Sequence, residues 1–527
     1  MGRALSLVLR SLVAVALLLG LSVPTHHALA AGTVGSGSPG SCSEAALDAA
    51  LAGGGPITFN YGPGAMTITL SGQKSISLDT VVDGGGRVAL SGGGSTRLFY
   101  VAPGASLSLA NLTLSGGRNT SGGAIYNRGR LTITASSIVN NQAPGGVGGA
   151  IYNTGEATIE GSALSGNSAA AGLSGAVQST GTLTVTNCDF ASNFAGLAAG
   201  AIGATGSLTI SGSTFTDNVS AGHAGAINSS GPLTIGGTTF ISNRAGGGLG
   251  GAVYSDDTLN LSNSVFRLNS ASMYGGGLYN GGTATVTEST FIGNAVDVGG
   301  SGGAIYNNLS ASLSIERSSF VDNDAPGGLG GGIDNNGTLV LTAVTMVGNA
   351  AGAGFGGAVA SAYGASLTVT NCTFSGNFGG LAGGGVISNG VATVQNGTFY
   401  GNTAGGLVRN GVNTVSVVNT ILAGNTPSNC TGTILSLGHN LEGASSCGFA
   451  AAGDLSATNP LLGPLANNGG PVLTHDLLPG SPAVNAGSLG SCPAQDARGV
   501  ARPQFGACDI GAVEFVVWVY LPLSLRQ

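Results

Sequence analysis

Gly122-Gly123-Ala124-Ile125, then Leu131-Thr132-Ile133, then Ile138 with Asn141 three places on, form a unit that the chain repeats. An apolar anchor followed three residues later by Asn ends at Asn141, Asn167, Asn193, Asn218, Asn243, Asn269, Asn294, Asn323, Asn349, Asn377, Asn402 and Asn425. Successive copies are 23 to 29 residues apart, most of them 25 or 26. A fixed period of this length is the signature of a solenoid. Small-residue elements recur with it, as Gly148–Ile151, Gly302–Ile305 and Gly356–Val359, and so do Leu183-Thr184-Val185, Leu208-Thr209-Ile210 and Leu367-Thr368-Val369.

In Leu-Thr-Ile the first and third side chains share one face of a strand and Thr takes the other. A single repeat cannot bury that apolar face. Stacked coils can, by placing Leu on Leu, Ile on Ile and Phe on Phe while satisfying one another's backbones. The Gly-Gly-Ala positions suit close backbone approach and corners with positive φ. The repeated Asn suits a turn, where it tolerates the left-handed region and bonds local backbone, and stacked copies can pair amide to amide. No stretch of period 3.6 fills half of each repeat, so strand-and-helix horseshoes are excluded. The predicted fold is all-β: a single-stranded right-handed parallel β-helix of the pectin-lyase-like kind, with a helical cap at the N-terminus and a capping region at the C-terminus.

Working outward, regular repeats occupy about 120–425. Ile57-Thr58-Phe59, Met66–Leu70, Ser75–Leu78, Arg97–Val101 and Ser106–Leu114 read as irregular coils of the same rod. The β-helix is therefore assigned to 57–451, roughly fifteen coils or ~70 Å at the strand spacing. Residues 31–56 are read as a linker and a cap helix at Ser43–Leu51, with Ser43 as N-cap and Glu44 in the first turn. An open first coil would be a sheet edge inviting polymerisation. Residues 452–515 break the repeat and are expected to close the other end. Residues 516–527 form an apolar tail, either a strand of the cap or a sorting signal, too short to span a bilayer.

The 98 glycines suit neither collagen nor disorder, because they follow no three-residue period and Val, Ile and Leu recur at fixed places. Charged residues make up 7% of the chain and the net charge is −7, which argues against nucleic-acid or anionic-membrane partners and leaves few acid/base candidates. Residues 1–30 read as a cleaved secretory signal: Arg3 and Arg10, an apolar Ser11–Val23, and Ala28-Leu29-Ala30 at the cleavage site. The mature protein is then expected to be secreted or at the cell surface, monomeric, and not integral to a membrane. An exported chain permits disulfides. Cys430 with Cys447 and Cys492 with Cys508 are close enough in sequence to pair. Cys188 and Cys372 share one phase of the repeat but lie ~34 Å apart, so they read as small apolar interior fillers. Cys42 is left over.

Three segments carry resemblances. The twelve repeats resemble those of the chlamydial polymorphic outer-membrane proteins, which implies a β-helical surface adhesin, although the roughly 100 residues after the last repeat hold no run of ~10-residue alternating strands like those of their membrane β-barrel, so their export route is not expected to carry over. Ser41-Cys42-Ser43-Glu44-Ala45-Ala46-Leu47 followed by Ile57-Thr58-Phe59 is similar in part to the CSLREAI-type N-terminal cap, without its Arg and Ile. Asn459–Leu465, Asn468-Gly469-Gly470, Gly480–Ala483, Asp496–Gly499, Arg502-Pro503 and Cys508–Ala512 resemble the choice-of-anchor Q domain, which implies a surface or released protein and names no activity.

Three functions follow for consideration. The first is an adhesin or envelope component that meets glycans or cell-surface proteins, with no catalytic residue, no cofactor and no required metal. The second is a polysaccharide-active lyase or hydrolase, which needs clustered carboxylates on an outer face. Within the repeats the only acids gathered within about a coil are Asp322, Asp324 and Asp334, a weak calcium candidate set against solvated turn carboxylates. The third is ice binding through an outward column of Thr132, Thr158, Thr184, Thr209, Thr234, Thr285, Thr368 and Thr393, interrupted nearby by Glu160, Gly236, Glu316, Val340 and Gln395. Tyr126, Tyr152, Tyr254, Tyr279 and Tyr306 share one phase and could line up as a stripe, with Gln178, Gly203 and Asn228 between them. Asp496, Arg498, Arg502, Asp509 and Glu514 read as a salt-bridged cap.

Overall fold

The computed structural model describes residues 31–516; the signal segment and all of the apolar tail beyond Val516 lie outside them. Among the described residues the chain winds into a right-handed parallel β-solenoid. Three parallel sheets run along it, of 31, 15 and 6 strands, called here the broad, second and narrow sheets. One coil shows the plan. Ile227–Ser229 lies in the second sheet, Leu233–Gly236 and Thr239–Ile241 in the broad sheet, and Arg244–Ala245 in the narrow one.

Register makes the columns. Leu208 pairs with Leu233 and that with Leu259, Ile210 with Ile235 and that with Leu261, and Phe215 with Phe240 and that with Phe266. These side chains are fully or almost fully buried. The Phe rings stack at centroid distances of 4.6–5.1 Å from Phe190 to Phe320, the spacing of the strands themselves. Corners follow the glycines. Gly148 has φ +62°, and a Cβ on Gly149 would overlap the carbonyl oxygen of Gly175 one coil on.

The repeated Asn behaves differently from the turn residue its sequence context suggests. Asn243 has no solvent exposure, and the left-handed position belongs to the residue before it, Ser242 at φ +54°. The same holds at Asn218 after Asp217 and at Asn323 after Asp322. Each amide points inward. Asn243 Oδ1 accepts from Asn218 N and Nδ2 at 3.1 and 2.9 Å, while its own Nδ2 donates to Phe215 O and to Asn269 Oδ1, both at 2.9 Å. The chain of amides runs from Asn141 through Asn425 to Asn429. An inward corner leaves backbone groups that only a polar side chain of fixed length can satisfy, and an unsatisfied buried group is costly. A second ladder, which the sequence reading did not detect, links Asn127 to Asn153 and Asn280 through Asn307 to Asn335.

Cys188 and Cys372 are likewise more than fillers. They occupy a column held in most other coils by Ser or Thr, among them Ser136, Ser162, Ser213, Ser264 and Ser318, whose hydroxyls bond the carbonyl two residues back; Val344 and Gly397 flank Cys372. The Cys188 and Cys372 thiols make that same bond, each at 3.2 Å.

Both ends differ from the expected boundaries. Gly32–Val34 already pairs in parallel with Ile57–Phe59, so the solenoid begins within the supposed linker. Helix Glu44–Leu51 is an excursion between those strands. Ser43 caps it by accepting from Ala46 N at 3.2 Å, Leu47 is buried in the main core, and Lys74 pairs with Glu44 and Asp48. At the far end Cys430 and Cys447 are joined, with Cα atoms 4.8 Å apart, and Cys447, Phe449 and Ile434 belong to the end of the main core. Coil pairing continues to Leu455.

Of residues 452–515, expected to close the end, those up to Thr458 stack on the last coil and most of the rest lie instead along the flank. Thr345 donates to Leu473 O, Asn371 to Gln495 O, Asn396 to Asp509 O, and Gly511 donates to Asn419 O. Those partners step through four successive coils. The physical reason is visible in the strands beneath: in Ile421-Leu422-Ala423 all three residues are buried, so the outward face there is apolar and needs a cover. Leu477, Ala483, Ile510 and Val513 supply it. Cys492 and Cys508 are joined within this tail, and Arg502 pairs with Glu514 at 2.8 Å, both side chains essentially inaccessible.

Candidate functional site

An outward position on the second sheet needs only to tolerate an extended backbone, and Gly203 and Ala360 show how little suffices. The column around them varies in blocks. After Ser75 come Tyr100, Tyr126 and Tyr152, then Gln178, Gly203 and Asn228. Tyr254, Tyr279 and Tyr306 follow, then Asp334, then Ala360, Ile387 and Val408.

The second tyrosine block is closely stacked: Tyr254 on Tyr279 at 4.8 Å, Tyr279 on Tyr306 at 5.4 Å, and Tyr274 from the corner on Tyr306 at 4.5 Å. The ring faces thus cover one another along the rod axis, leaving edges and hydroxyls to meet a partner. Tyr254 donates its hydroxyl to Asp256 at 2.6 Å. Burial pushes the Tyr254, Tyr279 and Tyr306 phenols upward, so they remain neutral donors near neutral pH.

Asp334 follows directly. Leu329 and Phe355 on the adjoining corner, with Ala360 on the next coil, shield it to 2% exposure. Its Oδ1 has no hydrogen-bond partner among the described residues, and neither has the nearby Asn336 Nδ2. Burial pushes the carboxyl up to about 7, against the opposing pull of the Asn336 amide, which stands near the carboxyl without hydrogen-bond geometry. It borders a cavity of about 210 Å³ walled by Leu329, Phe355, Ala360 and Ile387, with Asn389 and the exposed Asn410 at the rim.

The sequence grouped Asp334 with Asp322 and Asp324, and the fold does not. Asp322 is the exposed left-handed corner residue, Asp324 lies on the narrow-sheet side between Ala295 and Ala350, and Asp334 is on the second sheet. Among the described residues no three His, Cys, Asp or Glu side chains stand together as a metal group. Sequence distance misled, because a side chain's lateral neighbours in a solenoid lie one coil away. For Asp334 those are Tyr306 and Ala360. A buried carboxylate could have been inferred from Asp334 occupying the tyrosine phase.

The outward threonines do align, from Thr132 through Thr158, Thr184 and Thr209 to Thr234. Asn260, Ser314 and Val340 then enter the column, and Gln395 beside it is bonded to the tail through Ser491 O. The tail's charged residues are engaged in structure. Asp496 accepts from Arg498 and Glu514 N, Glu514 from Arg502, Gln504 N and Asp509 N, and Asp509 from Asn485 N and Phe515 N. A cleft of about 420 Å³ between tail and rod is bordered by Arg317, Asn371 and Arg498.

A family model described as a right-handed β-helix region matches residues 97–266, the stretch from the last irregular coils into the regular ones. No curated protein and no solved structure matches the chain. The fold therefore defines the class, a right-handed parallel β-helix protein. That class includes enzymes and non-enzymes alike.

Proposed function

We propose that this chain is an exported, surface-associated β-helical binding protein, an adhesin or envelope component, which meets its ligand through the outer face of the second sheet. One observation carries the reading. The interior Leu, Ile and Phe columns keep one chemistry from coil to coil, whereas this outward column changes in blocks that the fold does not require. A repetitive outer surface also suits many weak contacts acting together. Export is supported by the expected signal at residues 1–30 and by two disulfides, and surface attachment by the tail's resemblance to an anchoring domain.

A polysaccharide-active enzyme is the second reading, favoured by Asp334, whose carboxyl near 7 has the poise of a general acid. Such chemistry also needs a second carboxylate across a bound sugar, and Asp322 and Asp324 stand on other faces. A glycan array with the mature protein, coupled to assays for reducing ends and unsaturated products, separates the two. Binding without turnover is expected. Turnover abolished by Asp334→Asn, Asp322→Asn or Asp324→Asn would overturn the binding reading.

A further inference from the structure

We propose that the cavity beside Asp334 binds the ammonium end of a short apolar chain, the group carried by a lysine side chain or a free primary alkylamine. The inference rests on the reading of the second sheet as a binding face and names the ligand chemistry at one point of it. The cavity walls are Leu329, Phe355, Ala360 and Ile387; of its two buried polar side chains, Ser361 accepts from Asn335 Nδ2, whereas the Asp334 carboxyl is 2% exposed with Oδ1 unpartnered. A buried carboxyl without a partner is costly whether it is ionised or only half hydrogen-bonded. An ammonium supplies both the charge and the donors, and the alkyl stem covers the apolar walls as long basic side chains do elsewhere.

Competing ligands fit less well. A sugar ring would meet Ser361, Asn389 and Asn410 on one side but leave its other hydroxyls unpaired against four apolar side chains. A divalent cation needs six or more oxygens or an equivalent donor set, and no such cluster exists among the described residues. An anion meets a carboxyl. The volume, about 210 Å³, admits a fragment rather than an extended oligomer. The titratable group beside Asp334 is Tyr306 on the preceding coil, a neutral phenol; Asn336 on its own coil and Ala360 on the next carry no charge. Binding a cation therefore favours ionisation of Asp334 and releases its proton below about pH 7.

Ligand-observed NMR titration of the mature protein tests this with n-butylamine, n-butanol, Nα-acetyl-lysine methylamide and methyl α-glucopyranoside. Butylamine is expected to bind at least about tenfold more tightly than butanol, with its Kd falling about tenfold per pH unit between pH 5 and 7 and levelling above. Asp334→Asn is expected to remove both the preference and the pH dependence. Ala360→Leu, which fills the cavity while leaving the carboxyl in place, is expected to abolish binding with the circular dichroism spectrum retained. Tighter binding of the lysine derivative than of butylamine points to a protein lysine as source, and the reverse to a free amine. Equal affinity for butylamine and butanol, unchanged binding by Asp334→Asn, or displacement of butylamine by the glucoside overturns the proposal. The glycan array is read in parallel: surface binding that survives Asp334→Asn with no amine binding sinks the amine site alone, and amine binding without any surface ligand sinks the wider reading alone.

Discussion

The Asn ladder inside the rod and the charged cluster inside the tail bury polar groups in opposite ways. In the ladder each neutral amide is satisfied by an identical amide one coil on, so the same four hydrogen bonds recur around Asn218, Asn243 and Asn269. In the tail the two Arg502 Nη groups are engaged once, by Glu514, Asp509 O, Gly511 O and Asn371, each a different group from a different place, while its Nε has no partner among the described residues. Repetition yields a rod that can be extended by copying. Single-use charge compensation yields one docking position, on these coils and no others.

The sharpest way to break the ladder is Asn243→Ala. It removes the acceptor for Asn218 N and the donor for Phe215 O, both buried. Urea unfolding should show a loss of about 3–5 kcal/mol, with hydrogen exchange rising in the coils on either side. A loss below about 1 kcal/mol would mean that the ladder follows the fold rather than supporting it.

Arg502→Ala tests the other solution. It strands Glu514 without its buried partner, a change of about 3–4 kcal/mol for a pair of this kind. The effect should be confined to the tail: proteases should cut within 462–515 while exchange protection of the rod core stays unchanged. Loss of both together would show that the flank domain and the coils fold as one unit.

Asp334 follows neither scheme and sharpens the contrast. Its folded carboxyl is pushed up to about 7 by burial against an ordinary value of 3.8. The folded state therefore keeps a proton that the unfolded chain loses. Its favourable contribution is present below about pH 4 and is lost as pH rises through about 7. Asp334→Asn should accordingly stabilise the protein at pH 8, by roughly 2–4 kcal/mol, and leave it unchanged at pH 4. Thermal melts at the two pH values decide it; a destabilised variant at pH 8 would mean that the carboxylate has a partner.

The smallest effect expected is at Cys188→Ser. The thiol stands where Ser162 and Ser213 place hydroxyls in the neighbouring coils, so the change should stay within about 1 kcal/mol. Cys188→Val, which removes the bond to Thr186 O, should cost more in the same urea titration.

The rod was legible because its period is a direct consequence of stacking: Leu, Ile and Phe recur where interior columns require them. The inward turn of the Asn was not, since an Asn at a corner reads as a left-handed residue, whereas here Ser242 or Gly293 takes that strain and frees the amide. Placement of the tail was legible only in part. Its charged residues announced a locally specified unit, but the landing site was encoded in the outward Ile421 and Ala423, where the alternation of polar and apolar residues lapses. Asp334 was noticed beside the wrong neighbours, because proximity in sequence is a poor guide where coils bring residues about 26 apart into contact.

The binding role is tested most directly by removing the tyrosine edges. With Tyr254, Tyr279 and Tyr306 replaced together by Ser, adsorption of the mature protein to the glycan or cell surface that the wild type recognises should fall at least about tenfold, while the circular dichroism spectrum is retained. Adsorption unchanged by the triple replacement would contradict a recognition face on the second sheet.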